Sequence, residues 1–136
     1  MVDMKGTKAA VLEEAFGMRK RKTKPKALLD RVREIACMIA DGKVPSYKES
    51  SVIPAWLYYS LIVAVNGPLS PSEIARMTRS KLNIVHTNVI RAEKRGLLVR
   101  RNGIIYATRD AIALLEDIRS KCMQARNPYK LFLYKW

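Results

Sequence analysis

The spacing of apolar residues predicts two helices in the first half of the chain. The first runs from 27 to 40, where apolar residues recur every three or four positions, and Asp41 and Gly42 end the pattern. The second runs from about 55 to 65, after Pro54 and before an Asn-Gly-Pro sequence, and is apolar on almost every side. Such a helix is buried on more than one face, so its aromatic residues are expected in the core rather than as stacking platforms for bases.

Two shorter helices are predicted between residues 70 and 95. Ser70 is a candidate N-cap, and Pro71 suits the first helical position. Glu73 stands three residues after Ser70, where it can close a capping box. A second helix is expected from about Asn83 to Arg95, because the glycine that follows is a common helix terminator.

This second short helix has distinct inner and outer sides. Val85, Val89 and Ala92 stand at i, i+4 and i+7, so they share one side of the helix. Their expected packing partners are Ile74, Ala75 and Leu98. The other sides carry amide, hydroxyl and cationic groups, which suit base edges and phosphates, and no carboxylate before Glu93. These polar candidates are Lys81, Asn83, His86, Thr87, Asn88, Arg91 and Lys94.

A β-hairpin and a long helix are predicted to follow. Asn102-Gly103 lies between two β-prone runs, 97–101 and 104–108, which is the strongest short-range signal for a hairpin. Arg100 and Arg101 precede this turn, where they either improve solubility or contact a nucleic-acid backbone or minor groove, and we expect the contact. From 109 to about 126 apolar residues again recur every three or four positions, which predicts a long helix. The stripe consists of Ala111, Leu114, Leu115, Ile118 and Cys122.

The segment from Leu69 to Thr108 resembles the winged-helix pattern of MarR-like and related prokaryotic and archaeal transcriptional regulators. The resemblance is carried by Glu73-Ile74-Ala75, Thr78, Asn83-Ile84-Val85 and the run from Arg91 to Leu98. In those families a LexxGLV motif closes the recognition helix and the wing leads into LTxxG. Here Tyr106 to Ala111 occupy that last place, with Ala107 for the usual Leu and Ala111 for the usual Gly. The usual Gly-Leu-Ser turn is replaced by Arg79-Ser80-Lys81, and Leu82 is expected to take over the packing of the missing Leu.

The fold class that this resemblance implies is mainly α with a small β-hairpin wing (α+β), a winged helix-turn-helix with flanking N- and C-terminal helices. We divide the chain into an N-terminal segment with a basic arm (1–26), a winged-helix domain with flanking dimerisation helices (27–126, core 54–108) and an apolar, aromatic C-terminal tail (127–136). The tail is expected to dock on its own domain or on a partner subunit, and a docking peptide for another protein is the alternative.

Charge narrows the class of partner. Lys and Arg number 26 against 12 Asp and Glu, a formal net charge of +14, which favours nucleic acid or an anionic membrane surface. The apolar run from 53 to 65 is interrupted and too short to span a bilayer, so no membrane partner is expected. Residues 1–26 lack the apolar stretch of a signal peptide, so the protein is predicted to be soluble and cytoplasmic.

The densest cationic run lies in the N-terminal segment. It includes Arg19, Lys20, Arg21 and Lys22. Runs of like charge are usually solvated linkers, and here the same run also suits an arm that follows phosphates or enters a minor groove. Both interpretations stay open.

Catalytic and metal chemistry have no support in the sequence. Cys37 and Cys122 are the only cysteines and His86 is the only histidine, so no structural zinc site of the usual spacing can be built. Cys122 is expected to be a buried free thiol and Cys37 to be more exposed, with a redox switch or an intermolecular disulfide as alternatives. There is no Gly-rich phosphate loop and no nucleophile elbow, so we predict no enzyme, no cofactor and no metal.

The predicted function is sequence-specific binding of double-stranded DNA by a homodimeric transcriptional regulator. The predicted major-groove contacts are Asn83, Ile84, His86, Thr87 and Arg91, the predicted phosphate contacts are Lys81 and Lys94, and the predicted wing contacts are Arg100, Arg101 and Asn102. For His86 the alternative is a solvent-facing helix residue with no contact to DNA.

The long flanking helices provide a natural dimer surface, as in the regulators that the chain resembles. A two-fold dimer would place two recognition helices ~34–36 Å apart, one turn of DNA. An architectural, partition or replication DNA-binding protein is one alternative function, and a winged-helix protein–protein interaction module is another. A small-molecule effector, bound beside the helix with Trp56, Tyr58 and Tyr59, stays open without support from the sequence.

Overall fold

The computed structural model describes residues 25–126, which form five helices and one antiparallel hairpin. The elements are α1 (Pro25–Ala40), α2 (Ala55–Asn66), α3 (Pro71–Thr78), α4 (Leu82–Lys94), β1 (Leu98–Arg101), β2 (Ile104–Ala107) and α5 (Arg109–Arg126). The predicted class, mainly α with a small β-hairpin, is confirmed, and each element lies within two residues of its predicted bounds. Among these helices there is none whose length and apolar character would let it span a bilayer.

The core is built around α2. Eight consecutive residues of this helix, 56 to 63, are buried, and α2 contacts each of the other four helices as well as β2. Its aromatic residues lie in the core, as predicted: Trp56, Tyr58 and Tyr59 are at most 3% exposed. The Tyr58 hydroxyl donates a hydrogen bond to the carbonyl of Pro45, which satisfies the polar end of this buried ring.

The flanking helices pack against each other and against α2 within one chain. Cys37 of α1 is joined to Cys122 of α5 by a disulfide, with the two Cα atoms 5.8 Å apart. Three residues further along α1, the Ala40 carbonyl accepts a hydrogen bond from Nε of Arg119 at 3.1 Å. Cys37 thus pairs with Cys122, whereas Ala40, which is later in α1, pairs with Arg119, which is earlier in α5. The two helices are therefore antiparallel.

This arrangement corrects the prediction for the cysteines. Cys122 is buried, as its place on the apolar stripe predicted, but it is not a free thiol. Cys37 is half-buried rather than exposed, because α5 covers that side of α1. The periodicity of one helix shows which side is buried, but it does not show which residue of a second helix stands opposite.

The same packing changes the argument for a dimer surface. The apolar stripes of α1 and α5 were expected to be left for a second copy, yet they are buried within this chain, from Val32 to Ala40 and from Ala111 to Cys122. A homodimer therefore stays a prediction, and a second copy would have to bind another side of these helices. Ile112 and Met123 of α5 are the large apolar side chains exposed there, at 44% and 69%.

The hairpin follows its predicted turn. β1 and β2 pair with Leu98 opposite Ala107 and Arg101 opposite Ile104. Asn102 and Gly103 both have positive φ, +51° and +76°, the conformation that a two-residue type I′ turn requires. Leu69 also pairs with Ile105 of β2, and the two residues exchange both backbone hydrogen bonds, at 2.8 and 3.1 Å. The sequence did not predict this pairing. The hairpin is thereby attached to the chain just before α3.

Candidate nucleic-acid interface

The start of α3 is fixed by the predicted capping box. The Ser70 hydroxyl accepts a hydrogen bond from the Glu73 backbone N–H at 3.2 Å, and the Glu73 carboxylate accepts one from the Ser70 N–H at 2.9 Å. The backbone N–H of Ser70, with smaller contributions from the Ser70 hydroxyl and from Arg76, holds the pKa of Glu73 below its usual value. Two of the unpaired donors at the helix N-terminus are satisfied in this way.

The turn from α3 to α4 is held by hydroxyl groups. The Tyr59 hydroxyl donates to Ser80 Oγ at 2.7 Å, Ser80 and Thr78 share a hydrogen bond at 2.6 Å, and Thr78 donates to the Ile74 carbonyl at 2.6 Å. Since each hydroxyl has one hydrogen, Ser80 must donate to Thr78, and the four groups form a single directed chain. This chain connects α2 to the turn, and burial raises the pKa of the Tyr59 hydroxyl at its start.

Leu82 does not take over the packing of the missing turn leucine, so that prediction is wrong. Its side chain is 46% exposed at the first position of α4. Arg79 adopts the left-handed conformation, with φ +55° and ψ +46°, and its N–H caps the last carbonyls of α3. Hydrogen bonds, rather than the side chain of Leu82, therefore hold the turn.

The inner side of α4 is as predicted. Val85, Val89 and Ala92 are fully buried, together with Ile74 of α3 and Leu98 of β1. Asn88 was expected among the outward polar groups, but only 6% of it is exposed. Its amide nitrogen donates to the Ile84 carbonyl at 3.0 Å, so it belongs to the buried side of the helix.

Most of the predicted contact residues are accessible. The exposed ones are Lys81, Asn83, Thr87, Arg91, Lys94, Arg100, Arg101 and Asn102, and His86 is half-buried. The Thr87 hydroxyl donates to the Asn83 carbonyl at 2.9 Å, which leaves its oxygen free to accept a hydrogen bond from outside. The basic-arm residues Arg19, Lys20, Arg21 and Lys22 lie outside the described residues.

Among the predicted base contacts, Ile84 is only partly accessible. It is half-buried and packs against the core. The side of Ile84 that packs against the core is not available to a partner. Like the half-buried His86, Ile84 therefore stays a predicted base contact with reduced access.

Ile90 was missed by the sequence analysis. It is 47% exposed, although isoleucine is normally among the most buried residue types. Positions 83, 87, 90 and 94 are separated by four, three and four residues, so Asn83, Thr87, Ile90 and Lys94 share one side of α4. We call this side the outer face of α4. The same helical spacing that places Val85, Val89 and Ala92 on the inner side also places Ile90 on the opposite, outer face, so its exposure was predictable from the sequence.

The hairpin lies beside the last turn of α4. Nη2 of Arg100 is 3.8 Å from Oε1 of Glu93, with about one third of each side chain exposed. Successive residues of a strand project to opposite sides, so Arg101 projects away from this pair. The only carboxylate of α4 is thus next to a cation of the hairpin.

A cavity of about 580 Å³ opens behind α4. It is bordered by residues 47–56 of the α1–α2 connection and the start of α2, by Tyr58, and by Asn88 and Arg91. Trp56 lies in its wall, with the Arg95 guanidinium 4.2 Å from its ring centre. The volume is within the range of small-molecule sites, so the cavity is a candidate site for the effector that the sequence left open.

No known protein family, curated protein or solved structure matches this chain.

Proposed function

We propose that this protein is a winged helix-turn-helix protein that binds double-stranded DNA and regulates transcription. In this proposal α4 is the recognition helix and lies in the major groove, while β1, β2 and the Asn102-Gly103 turn form the wing. The observation that carries it is the outer face of α4, which presents amide, hydroxyl and cationic groups beside a basic hairpin, with Glu93 next to Arg100.

The dimensions of α4 support this placement. Lys81 and Lys94 stand at its two ends, thirteen positions apart, which corresponds to about 20 Å along a helix. The major groove is about 12 Å wide, so a helix lying in it can bring cations at both ends to phosphates while the residues between face the base edges. The formal net charge of +14 adds a long-range attraction to DNA.

A salt titration tests DNA binding directly. The full chain is mixed with a fluorescent 24-base-pair duplex of random sequence, and anisotropy is measured between 50 and 200 mM KCl. We expect tight binding at low salt and a linear fall of log affinity with log salt, with a slope of about −0.9 for each phosphate contacted. Negligible binding at 50 mM KCl would contradict DNA binding and favour a protein–protein interaction module.

Charge-removing variants locate the interface. Lys81→Gln and Lys94→Gln should each reduce the magnitude of the salt slope by about 0.9, because each removes one phosphate contact. Lys43→Gln is the matched control, since Lys43 is also exposed but follows α1. An equal change in all three variants would mean that α4 has no special role.

Footprinting distinguishes the regulator from an architectural, partition or replication protein. A regulator that controls its own expression should protect a discrete site upstream of its coding sequence, whereas uniform protection at similar concentrations would indicate an architectural role. Thr87→Ala and His86→Ala should change the preference between sequences, while Arg101→Ala should weaken binding to all sequences alike. Equal losses in all three variants would contradict base reading.

A homodimer belongs to the proposal because it would place two recognition helices on successive turns of DNA. Sedimentation equilibrium should give twice the chain mass of 15.5 kDa. A mass of one chain at every concentration would leave a monomer that reads a single site.

A further inference from the structure

The outer face of α4 carries one large apolar side chain among polar ones. Ile90 lies on this face with Asn83, Thr87 and Lys94, and 47% of it is exposed. A single exposed isoleucine on a protein surface needs no explanation by itself. What distinguishes Ile90 is its place, in the middle of the surface that would meet DNA.

Packing within the chain does not explain Ile90. Val85, Val89 and Ala92 already complete the buried side of α4, and none of them is exposed. The other isoleucine of this helix, Ile84, is half-buried against the core and is the one that anchors α4. Ile90 is therefore the isoleucine of α4 that is available to a partner.

The partner's chemistry follows from the properties of the major groove. An isoleucine side chain forms no hydrogen bond, so it contributes to recognition only through an apolar contact. The 5-methyl group of thymine is the apolar group that base pairs present in the major groove. Thr87 stands one turn before Ile90, and its hydroxyl already donates to Asn83, so it is left to accept a hydrogen bond from an amino group such as N6 of adenine.

We propose that Ile90 contacts the 5-methyl group of a thymine and thereby selects an A·T pair in the target site. The proposal rests on the function proposed above, with α4 in the major groove. It assigns to Ile90 the apolar base contact that the sequence had assigned to Ile84.

The test compares thymine with uracil, which forms the same base pair and lacks only the methyl group. A tight-binding duplex is first selected from a random-sequence library with the full chain. It is then synthesised with uracil at one thymine position at a time. Wild-type protein should bind about fourfold more weakly when the contacted thymine is replaced, which is the expected value of one buried methyl group, and should be unaffected at uncontacted positions.

Variants connect this effect to the side chain. Ile90→Ala should bind the thymine and uracil duplexes with equal affinity, close to that of the wild type for uracil. Val52→Ala is the control, because it also truncates a partly exposed apolar side chain, but on the connection between α1 and α2. It should retain the fourfold preference. Circular dichroism of each variant checks that the fold is unchanged.

The outcomes separate this proposal from the function on which it rests. If no duplex binds at low salt, DNA binding itself fails. If duplexes bind with the expected salt dependence but uracil is tolerated at every position, the thymine contact is overturned. It is also overturned if Ile90→Ala keeps the preference for thymine, since the methyl group would then act through the shape of the DNA or through another residue.

Discussion

At the scale of single residues, the turn between α3 and α4 depends on hydroxyl groups rather than on apolar packing. Thr78 is fully buried and lies at the centre of the chain that runs from Tyr59 through Ser80 to the Ile74 carbonyl. A buried hydroxyl without a partner is costly, so the groups in this chain depend on one another. The exposed Leu82 shows that no apolar side chain fills this position instead.

Thr78→Val should therefore destabilise the protein. The substitution keeps the shape but removes the hydrogen-bond acceptor of Ser80, so we expect the free energy of unfolding to fall by about 1–2 kcal/mol. Urea denaturation followed by circular dichroism measures this change. Thr87→Val is the matched control, because its hydroxyl also donates to the carbonyl four residues before, but at an exposed position. Its effect should stay within about 0.5 kcal/mol, and equal effects in both variants would contradict the role of the hydroxyl chain.

At the scale of elements, α4 and the hairpin form one continuous surface. The Glu93–Arg100 pair links them, but an ion pair with this exposure contributes little to stability, about 0–1 kcal/mol. Its main consequence concerns the interface, since Glu93 places a negative charge beside a proposed DNA contact and holds Arg100 toward α4. The carboxylate therefore competes with phosphate for the same guanidinium.

Glu93→Gln should strengthen binding to DNA. Removal of the carboxylate frees Arg100 for one more phosphate contact, so affinity for a random duplex should rise severalfold and the salt slope should steepen by about 0.9. Anisotropy titrations measure both quantities. Glu116→Gln, an exposed carboxylate of α5, removes the same charge away from the interface. If it raises affinity as much as Glu93→Gln does, net charge explains the gain and the local competition is wrong.

At the scale of the whole molecule, the disulfide closes the chain around almost everything between the flanking helices. Cys37 and Cys122 are separated by 85 positions, and the loop between them contains α2, α3, α4 and the hairpin. Closing so long a loop restricts the unfolded chain strongly, and the chain-entropy estimate for this length is about 4–5 kcal/mol. The disulfide is thus a major contribution to the stability of a domain of this size.

Reduction should lower the melting temperature by well over 10 °C, at a few degrees for each kcal/mol in a domain of about 100 residues. Differential scanning calorimetry with and without dithiothreitol measures the shift, and thiol titration of the unfolded protein counts the free cysteines. A Cys37→Ser, Cys122→Ser double variant should melt near the reduced wild type and should not respond to dithiothreitol. An unchanged melting temperature on reduction would contradict this role.

Several features follow from the amino-acid sequence alone: the order and bounds of the elements, the capping box at Ser70 and Glu73, the turn at Asn102 and Gly103, and the buried side of α4. Each of these depends on residues within a few positions of one another, so helical spacing and turn chemistry are sufficient. The predicted contact residues on α4 and the hairpin are accessible for the same reason, except that Ile84 and His86 are half-buried.

Which side chains meet across elements depends instead on how the helices and the hairpin pack together. The antiparallel packing of α1 on α5 brought Cys37 to Cys122, and the packing of α2 beside the turn completed the hydroxyl chain through Tyr59. Packing also covered Ile84 and Asn88 and left Ile90 exposed. These contacts join residues that are far apart in sequence, and the periodicity of a single helix contains no information about the surface that packs against it.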